Sequence, residues 1–479
     1  MTGEAVLVLL QVTTAQYDNA RTGSYTHEQT LTPAVVNKAH FGKLFSLAVT
    51  GDVYAQPLVH AGVVFVATEH DDVYAFDAAK PGEPLWHVSL LGGGIPVPDF
   101  DVACPFIRPD IGISATPVID TMSGTIYALA RTKEGSAHVQ RLHALDIRTG
   151  KARRPAVEIG APGFDPLREN PRAALLLAGG KLFLSWGSSC DVGPYHGFVM
   201  AFDPQTLERL AVFNVTPTGQ MGAVWQGHAG IAADNSGNVF VVTANGSYDA
   251  DQPGGQNYSN SVLRLVLTGN GLQVADFFTP FNQQQLSNED NDLGGGGPVL
   301  LPDRPRRRRV VIVGGKGGGL YVLNRDSLGG FHASDNGHAM QVIPTAASVF
   351  GAPATWNGRV YLWSAEDVLR AFAIVGDTLR EIGRGKVKFI DPGATPTVSA
   401  DGVRNGIVWA ITSKGWRSPD RPAVLYAFDA ANVANELWDS EQNPARDRAG
   451  MALRFSIPTV AQGRVYVGTK GRIDVYGLR

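Results

Sequence analysis

Apolar and polar positions along this chain alternate with a period of two, and sustained helical periodicity is rare. The stretch 63–86, VVFVATEHDDVYAFDAAKPGEPLW, shows the unit. An apolar, β-branched run is followed by a polar turn, a second such run, and a Pro/Gly loop that ends on Trp86. That pattern predicts a β-hairpin, and an isolated hairpin cannot bury its apolar face. The chain supplies neighbours by repetition. ATPVIDTMSGTIYALA and RLHALDIRTGK follow from Ala115, and LLLAGGKLFLSW and GFVMAFDPQTL from Leu175. VVIVGGKGGGLYVLNRDSLGG, PAVLYAFDAANVANELW and GRVYVGTKGRIDVYGL are later copies.

Each copy opens on a small residue, often followed by Pro: AQPL, ATPV, GGPV, GAPA, ATPT, SIPT. The copies begin near Val53, Ala115, Ala173, His228, Gly294, Phe350, Ala394 and Phe455. A repeat of this length means stacked units that share one continuous core. The last copy has room for only three strands before Arg479, while HFGKLFSLAV near the N-terminus is a strand without a hairpin partner. Pairing the two closes a ring and removes its exposed edges. The expected fold is therefore all-β: an eight-bladed β-propeller of four-stranded blades, closed by an N-terminal strand that completes the last blade. The expected organisation is an N-terminal arm over residues 1–39 and one propeller domain over 40–479. Residues 12–39 are polar and lack strand period, so they read as an extended arm. The apolar run 5–10 reads either as the remnant of a signal segment within 1–16 or as an ordinary first strand. Residues 91–112 read as a long loop.

Composition narrows the partners. A net charge of −3 leaves no electrostatic footprint for nucleic acid, and the basic run 304–309 sits between two strands, where it reads as a solvated turn. No apolar stretch is long enough to span a bilayer. Many Gly and Pro fit an all-β chain. The expected protein is a monomer that takes a small molecule in its central channel.

In a propeller the loop entering the first strand of a blade and the turn joining its second and third strands share a face. Polar residues gather there: Glu69, His70 and Asp71; Arg131 and Lys133; Cys190, Asp191 and His196; His228, Asn245 and Asp249; Lys316; Glu366 and Asp367; Lys414 and Trp416; Lys470 and Arg472. Tight turns select Asp, Asn and Gly in any case, but the third, fourth and fifth copies also carry long insertions on this face. Cys104 and Cys190 lie in same-face loops of neighbouring blades. A disulfide between them would pin the loop 91–112 beside Asp191 in an exported protein; two buried free thiols are the alternative. GGKGGG at 314–319 lacks the spacing of a phosphate-binding loop.

The unit GxVYAxDxxTGxxxW resembles the repeat of the pyrroloquinoline quinone (PQQ) dehydrogenases, and the arm YDNARTGSYTHEQTLTP with FGKLF, YAQPL and VFVATEHDDVYAFDA resembles a group of secreted PQQ-repeat proteins. The resemblance implies an eight-bladed propeller, a secreted or periplasmic location, and a site with PQQ and Ca²⁺. By that resemblance Asp191, in Ser189-Cys190-Asp191-Val192-Gly193 before the strand GFVMAFD, and Asn245, in VFVVTANGSYD, stand as metal ligands. Asp290 and Asp292, in NEDNDLG, stand as alternatives for the catalytic base. Lys316, in KGGGLYVLNR, stands as the quinone-contacting lysine. His228 and Arg108 are further cofactor-binding candidates, and His196 is a catalytic candidate beside Asp191. The chain departs from the family in three ways. It has no adjacent cysteine pair. It has no Trp at 226–230, where Trp225 lies just upstream and His228 is the only ring. It has no C-x-x-C-H haem motif. Three functions compete on this reading: a quinoprotein-like oxidoreductase acting on an alcohol or sugar, a non-catalytic ligand- or protein-binding propeller, and a metal-dependent lyase or hydrolase using Asp191, His196 and the acids at 288–292.

Overall fold

The computed structural model describes residues 11–416, 418 and 421–479, so the apolar run 5–10 lies outside the described residues. The strands assemble into eight sheets, one per copy of the repeat. The first blade runs Leu58–His60, Val63–Ala67, Asp72–Asp77 and Trp86–Ser89 in simple antiparallel order. The last consists of Thr459–Ala461, Arg464–Thr469 and Arg472–Leu478, completed by Phe41–Ala48 on its outer edge. Closure thus joins the two ends of the chain inside one sheet, with Phe41 registered against Leu478 and Ala48 against Arg472.

Strand alternation points one face of each sheet at each neighbour, so apolar clusters form between blades. Leu129, Leu142, Leu184 and Trp186 fill one such interface. Val241, Leu263 and Phe183 fill the next. Trp363, Val408 and Phe428 fill another. The tryptophan that ends the repeat also spans an interface. Trp86 donates its indole N–H to the carbonyl of Ile147 in the second blade, and its ring lies so close to Gly150 that a Cβ there would stand 2.6 Å from it.

Two segments differ from the expected pattern. Residues 91–112 are not merely a loop: Ile95–Pro98 and Asp110–Ile111 pair with each other and extend the second blade, with a short helix Asp99–Val102 between them. The arm is also not merely extended over the surface, because residues 12–25 thread the central channel. Val12 exchanges backbone hydrogen bonds with Val59, and Thr13, Ala20, Thr22 and Gly23 accept from Ile119, Leu300, Thr355 and Val398. Asn19 accepts from Ala233 and donates to Leu177, while the Tyr17 hydroxyl accepts from Val460. These partners are in or beside the innermost strands of all eight blades. Backbone groups lining a channel must find hydrogen-bond partners, and the arm provides them where there is no further strand.

Arg21 is the centre of this plug. Its guanidinium, fully buried, donates to the Thr14 hydroxyl and to the carbonyls of Ala15, Leu175 and Ile231. Gly230 permits the approach, since a Cβ there would stand 2.7 Å from the guanidinium. The channel is therefore closed at the arm and open on the face carrying the turns between second and third strands.

Candidate functional site

At the open face lies a cavity of about 460 Å³. Its lining comes from the two kinds of loop that share this face. Cys190, Asp191 and Lys316 come from turns between second and third strands, and Ser188 ends a second strand. Arg172, Trp225, Asp290, Asp292, Phe350 and Arg454 come from segments leading into first strands.

The acids and lysine meet on one side. The Lys316 ammonium lies 2.7 Å from Asp290 Oδ1 and 2.6 Å from Asp292 Oδ2. Asn245 donates its amide to Asp290 Oδ1 at 2.9 Å. The two aspartates left open by the sequence differ sharply in environment, with side chains 69% and 2% exposed for Asp290 and Asp292. Burial pushes the Asp292 carboxyl up to about 6 against the pull of Lys316. Burial works against the Lys316 ammonium, but Asp292 and Asp290 outweigh it and raise its pKa above the usual lysine value. Asp191 Oδ1 accepts from the Ser188 hydroxyl at 2.7 Å and the Tyr195 hydroxyl at 2.6 Å. The Asp191 charge adds to the upward push on Asp292.

Two buried oxygens here, Asp292 Oδ1 and Asn245 Oδ1, have no hydrogen-bond partner. Buried polar atoms are normally satisfied, so these two mark a place for a ligand or cation. No group of three or more His, Cys, Asp or Glu side chains among the described residues is arranged to hold a metal ion. A calcium ion seated here would need the Asn245 carbonyl oxygen beside the carboxylates, together with oxygens from a bound molecule, in keeping with its demand for six to eight oxygens. Cys190, Asp191 and Asp290 have φ of 55°, 51° and 53°. Left-handed backbone in non-glycine residues is costly and gathers at functional sites.

The other side is aromatic and cationic. Trp225, Phe350 and Phe455 form a triangle with ring centroids 5.7–6.2 Å apart. Arg172 lies over Trp225 and Phe455, and Arg454 over Phe350, Phe455 and Phe106. Lys316 also stands 5.4 Å from the Trp225 ring centre. Trp225 reaches this position because Gly187 has no side chain; a Cβ there would lie 2.7 Å from that of Trp225. Cys104 and Cys190 form a disulfide with Cα atoms 5.6 Å apart, and Cys190 is on the cavity wall.

The structure therefore brings Asp191, Asn245, Asp290, Asp292, Lys316 and the disulfide together. It leaves two candidates elsewhere. His196 is not on the cavity wall: its ring pairs with the Thr216 hydroxyl and packs on Phe198, and burial lowers its pKa. Arg108 projects outward and pairs with Asp99. The side chain of His228 lies outside the described residues. Sequence reasoning missed Arg172, Arg454, Phe350 and Phe455, and it missed Trp225 as a wall residue. Only Trp225 left a signal, one position from the window where a ring belonged.

The EHDD turn of the first blade lies outside this cavity. Glu69 is buried, accepts from the Gly112 amide and the Ser114 hydroxyl, and is pushed up to about 7 by that burial. A raised carboxyl favours the fold while protonated and loses that contribution as pH rises through about 7. Glu69→Gln, which mimics the protonated form, is expected to gain stability over the parent as pH goes from 5 to 8. The gap should widen by on the order of 2 kcal/mol, read from denaturant unfolding at each pH. A gap independent of pH would disprove the assignment.

Fold and site together define a class: an eight-bladed propeller with a cavity at one channel mouth, floored by aromatic rings and walled by a lysine between carboxylates. No protein-family model matches the sequence, and no curated protein is similar to it in sequence. Solved structures are similar in fold. The quinohemoprotein alcohol dehydrogenase of Comamonas testosteroni superposes with a TM-score of 0.65 at 17% identity, covering 98% of this chain and 80% of that one. The quinohemoprotein alcohol dehydrogenase ADHIIG of Pseudomonas putida HK5 gives 0.63 at 14%, with the same coverage. BamB of Moraxella catarrhalis gives 0.54 at 15%, covering 91% of this chain and 99% of that one. At such identities the likeness establishes the fold, and it agrees with the repeat resemblance in the sequence. Among the described residues no helix is long and apolar enough to cross a membrane.

Proposed function

We propose that the protein is a quinoprotein-type oxidoreductase that dehydrogenates an alcohol in this cavity, working outside the cytoplasm. The observation that carries the reading is the buried Asp292 held by Lys316 beside an aromatic floor and a disulfide wall. The residues fit PQQ. The cavity is of a size that takes a small cofactor, Trp225 and the Cys104–Cys190 bridge are flat or soft surfaces suited to a planar ring system, and Arg172 and Arg454 are cations suited to its carboxylates. Asp191 and Asn245 would hold Ca²⁺ with Asp292 beside them.

When bound, the quinone supplies the acceptor for two electrons. The chain's own groups do the rest. Asp292 takes the hydroxyl proton of the alcohol as general base, its basicity raised by burial. Lys316 holds the Asp292 carboxylate in place and keeps positive charge where negative charge develops. Asp290, at the rim, anchors Lys316 and Asn245.

The test is a titration of the purified protein with PQQ and Ca²⁺, followed by dye reduction over a panel of alcohols. A spectral shift saturating near one equivalent, with alcohol-dependent dye reduction, is the expected result. No shift and no turnover would sink the proposal and favour a propeller that binds a ligand without oxidising it.

A further inference from the structure

A second recess adjoins the cavity, separated from it by the Asn245–Asp290 hydrogen bond. It is a groove of about 470 Å³ lined by Gln220, Ser247, Tyr248, Gln284, Ser287 and Asn288, with Met221, Asn245 and Gly246 completing it. Its wall carries no charged side chain, in contrast to the cavity with its two arginines, lysine and three aspartates.

Much of the hydrogen-bonding capacity of this wall faces solvent rather than the protein, with Gln220, Gln284 and Asn288 exposed. The Ser287 hydroxyl accepts from the Gly246 amide and from Asn260, which leaves its own proton to donate. Ser247 accepts from the Gln220 backbone and likewise retains its proton. Gln284 donates to Asn288 Oδ1, leaving the Gln284 carbonyl oxygen and the Asn288 amide protons free. The Gln220 side chain has no partner among the described residues. Hydroxyl and amide groups that both donate and accept, set close together without charge, match the ring hydroxyls of a sugar, each of which also does both. An ionised ligand finds no counter-charge there. Tyr248, packed on Phe331, and Met221 add the apolar surface that a sugar's C–H face requires.

We infer that this groove is a subsite for a neutral, hydroxyl-rich ligand, a sugar unit of the substrate whose reacting hydroxyl lies beyond the Asn245–Asp290 pair. Its role as a substrate subsite rests on the function proposed above, whereas its affinity for sugar does not. The test therefore uses the full chain without quinone. Titration calorimetry and saturation-transfer NMR with D-glucose and maltose are expected to show binding at about 1–10 mM, the range of a few neutral hydrogen bonds. D-Gluconate is expected to bind more weakly. Gln220 and Gln284 are at the surface, so Gln220→Ala and Gln284→Ala are expected to fold normally and to weaken sugar binding up to about tenfold each. Absence of sugar binding, tighter binding of gluconate, or unchanged affinity in both variants would overturn the inference. Sugar binding without quinone binding would keep the groove and sink the proposed function; quinone binding without sugar binding would do the reverse.

Discussion

Asp292→Asn is expected to lower kcat of the quinone- and calcium-loaded protein by about 10²–10⁴-fold, the usual contribution of a positioned general base. Asparagine keeps the shape and the contact with Lys316 but cannot take a proton. KM for the alcohol is expected to change little, because the loss falls on the transition state. The parent should show the same dependence through pH. Burial raises this carboxyl to about 6 and a calcium ion beside it would oppose that rise, so kcat/KM should fall on an acid limb lying no higher than that value, since the protonated acid is not a base. Asp290 provides the contrast. Its side chain is largely exposed and bonded to Asn245 and Lys316, so Asp290→Asn is expected to cost far less and to leave the acid limb in place. Steady-state rates from pH 4.5 to 8.5 check both variants. Equal losses with an unchanged pH profile would move the base away from Asp292.

Arg21→Ala is expected to destabilise the fold by about 3–5 kcal/mol, the cost of breaking a buried charged hydrogen-bond network. Burial lowers the guanidinium pKa only to about 10, with Asp18 opposing the shift, so it stays charged at neutral pH. Its removal strips three carbonyls and a hydroxyl of their donor inside the channel. Because the arm bonds to every blade, the loss should appear as loosening of the whole ring. Denaturant unfolding would give the magnitude, and hydrogen exchange should show faster opening of inner-strand amides such as Ile119, Leu300, Thr355 and Val398. A stable variant with unchanged exchange would mean that the arm lies on the channel without supporting it.

The site residues that sequence reasoning located belong to short motifs whose neighbours are covalently fixed. Asp191 stands before GFVMAFD, Asn245 ends VFVVTAN, and Lys316 opens KGGGLYVLN, so the register of the strand fixes the place of the turn. The ambiguity between Asp290 and Asp292 could not be resolved that way, because two positions along an irregular loop differ by burial alone. His196 follows Asp191 closely in the chain, yet its ring turns to Thr216 and Phe198. Sequence proximity does not set side-chain direction in a long turn.

By itself, the sequence determined the architecture. Period-two alternation, eight copies of one unit, and an unpaired N-terminal strand matching a last copy one strand short leave closure of a ring as the arrangement that buries the apolar faces. What only the tertiary structure decided is how that ring is used. The arm's hydrogen bonds to eight inner strands close one channel mouth, and no local pattern predicts contacts between residues hundreds of positions apart. The cavity wall at the other mouth joins Arg172, Trp225, Phe350 and Arg454 from different blades. Each sits in a loop leading into a different blade, where the blade-opening pattern marks the strand but not the side chain before it, and the ring arrangement sets them against one another. Cys104 and Cys190, 86 residues apart, are brought together beside the buried carboxylate by the packing of two neighbouring blades.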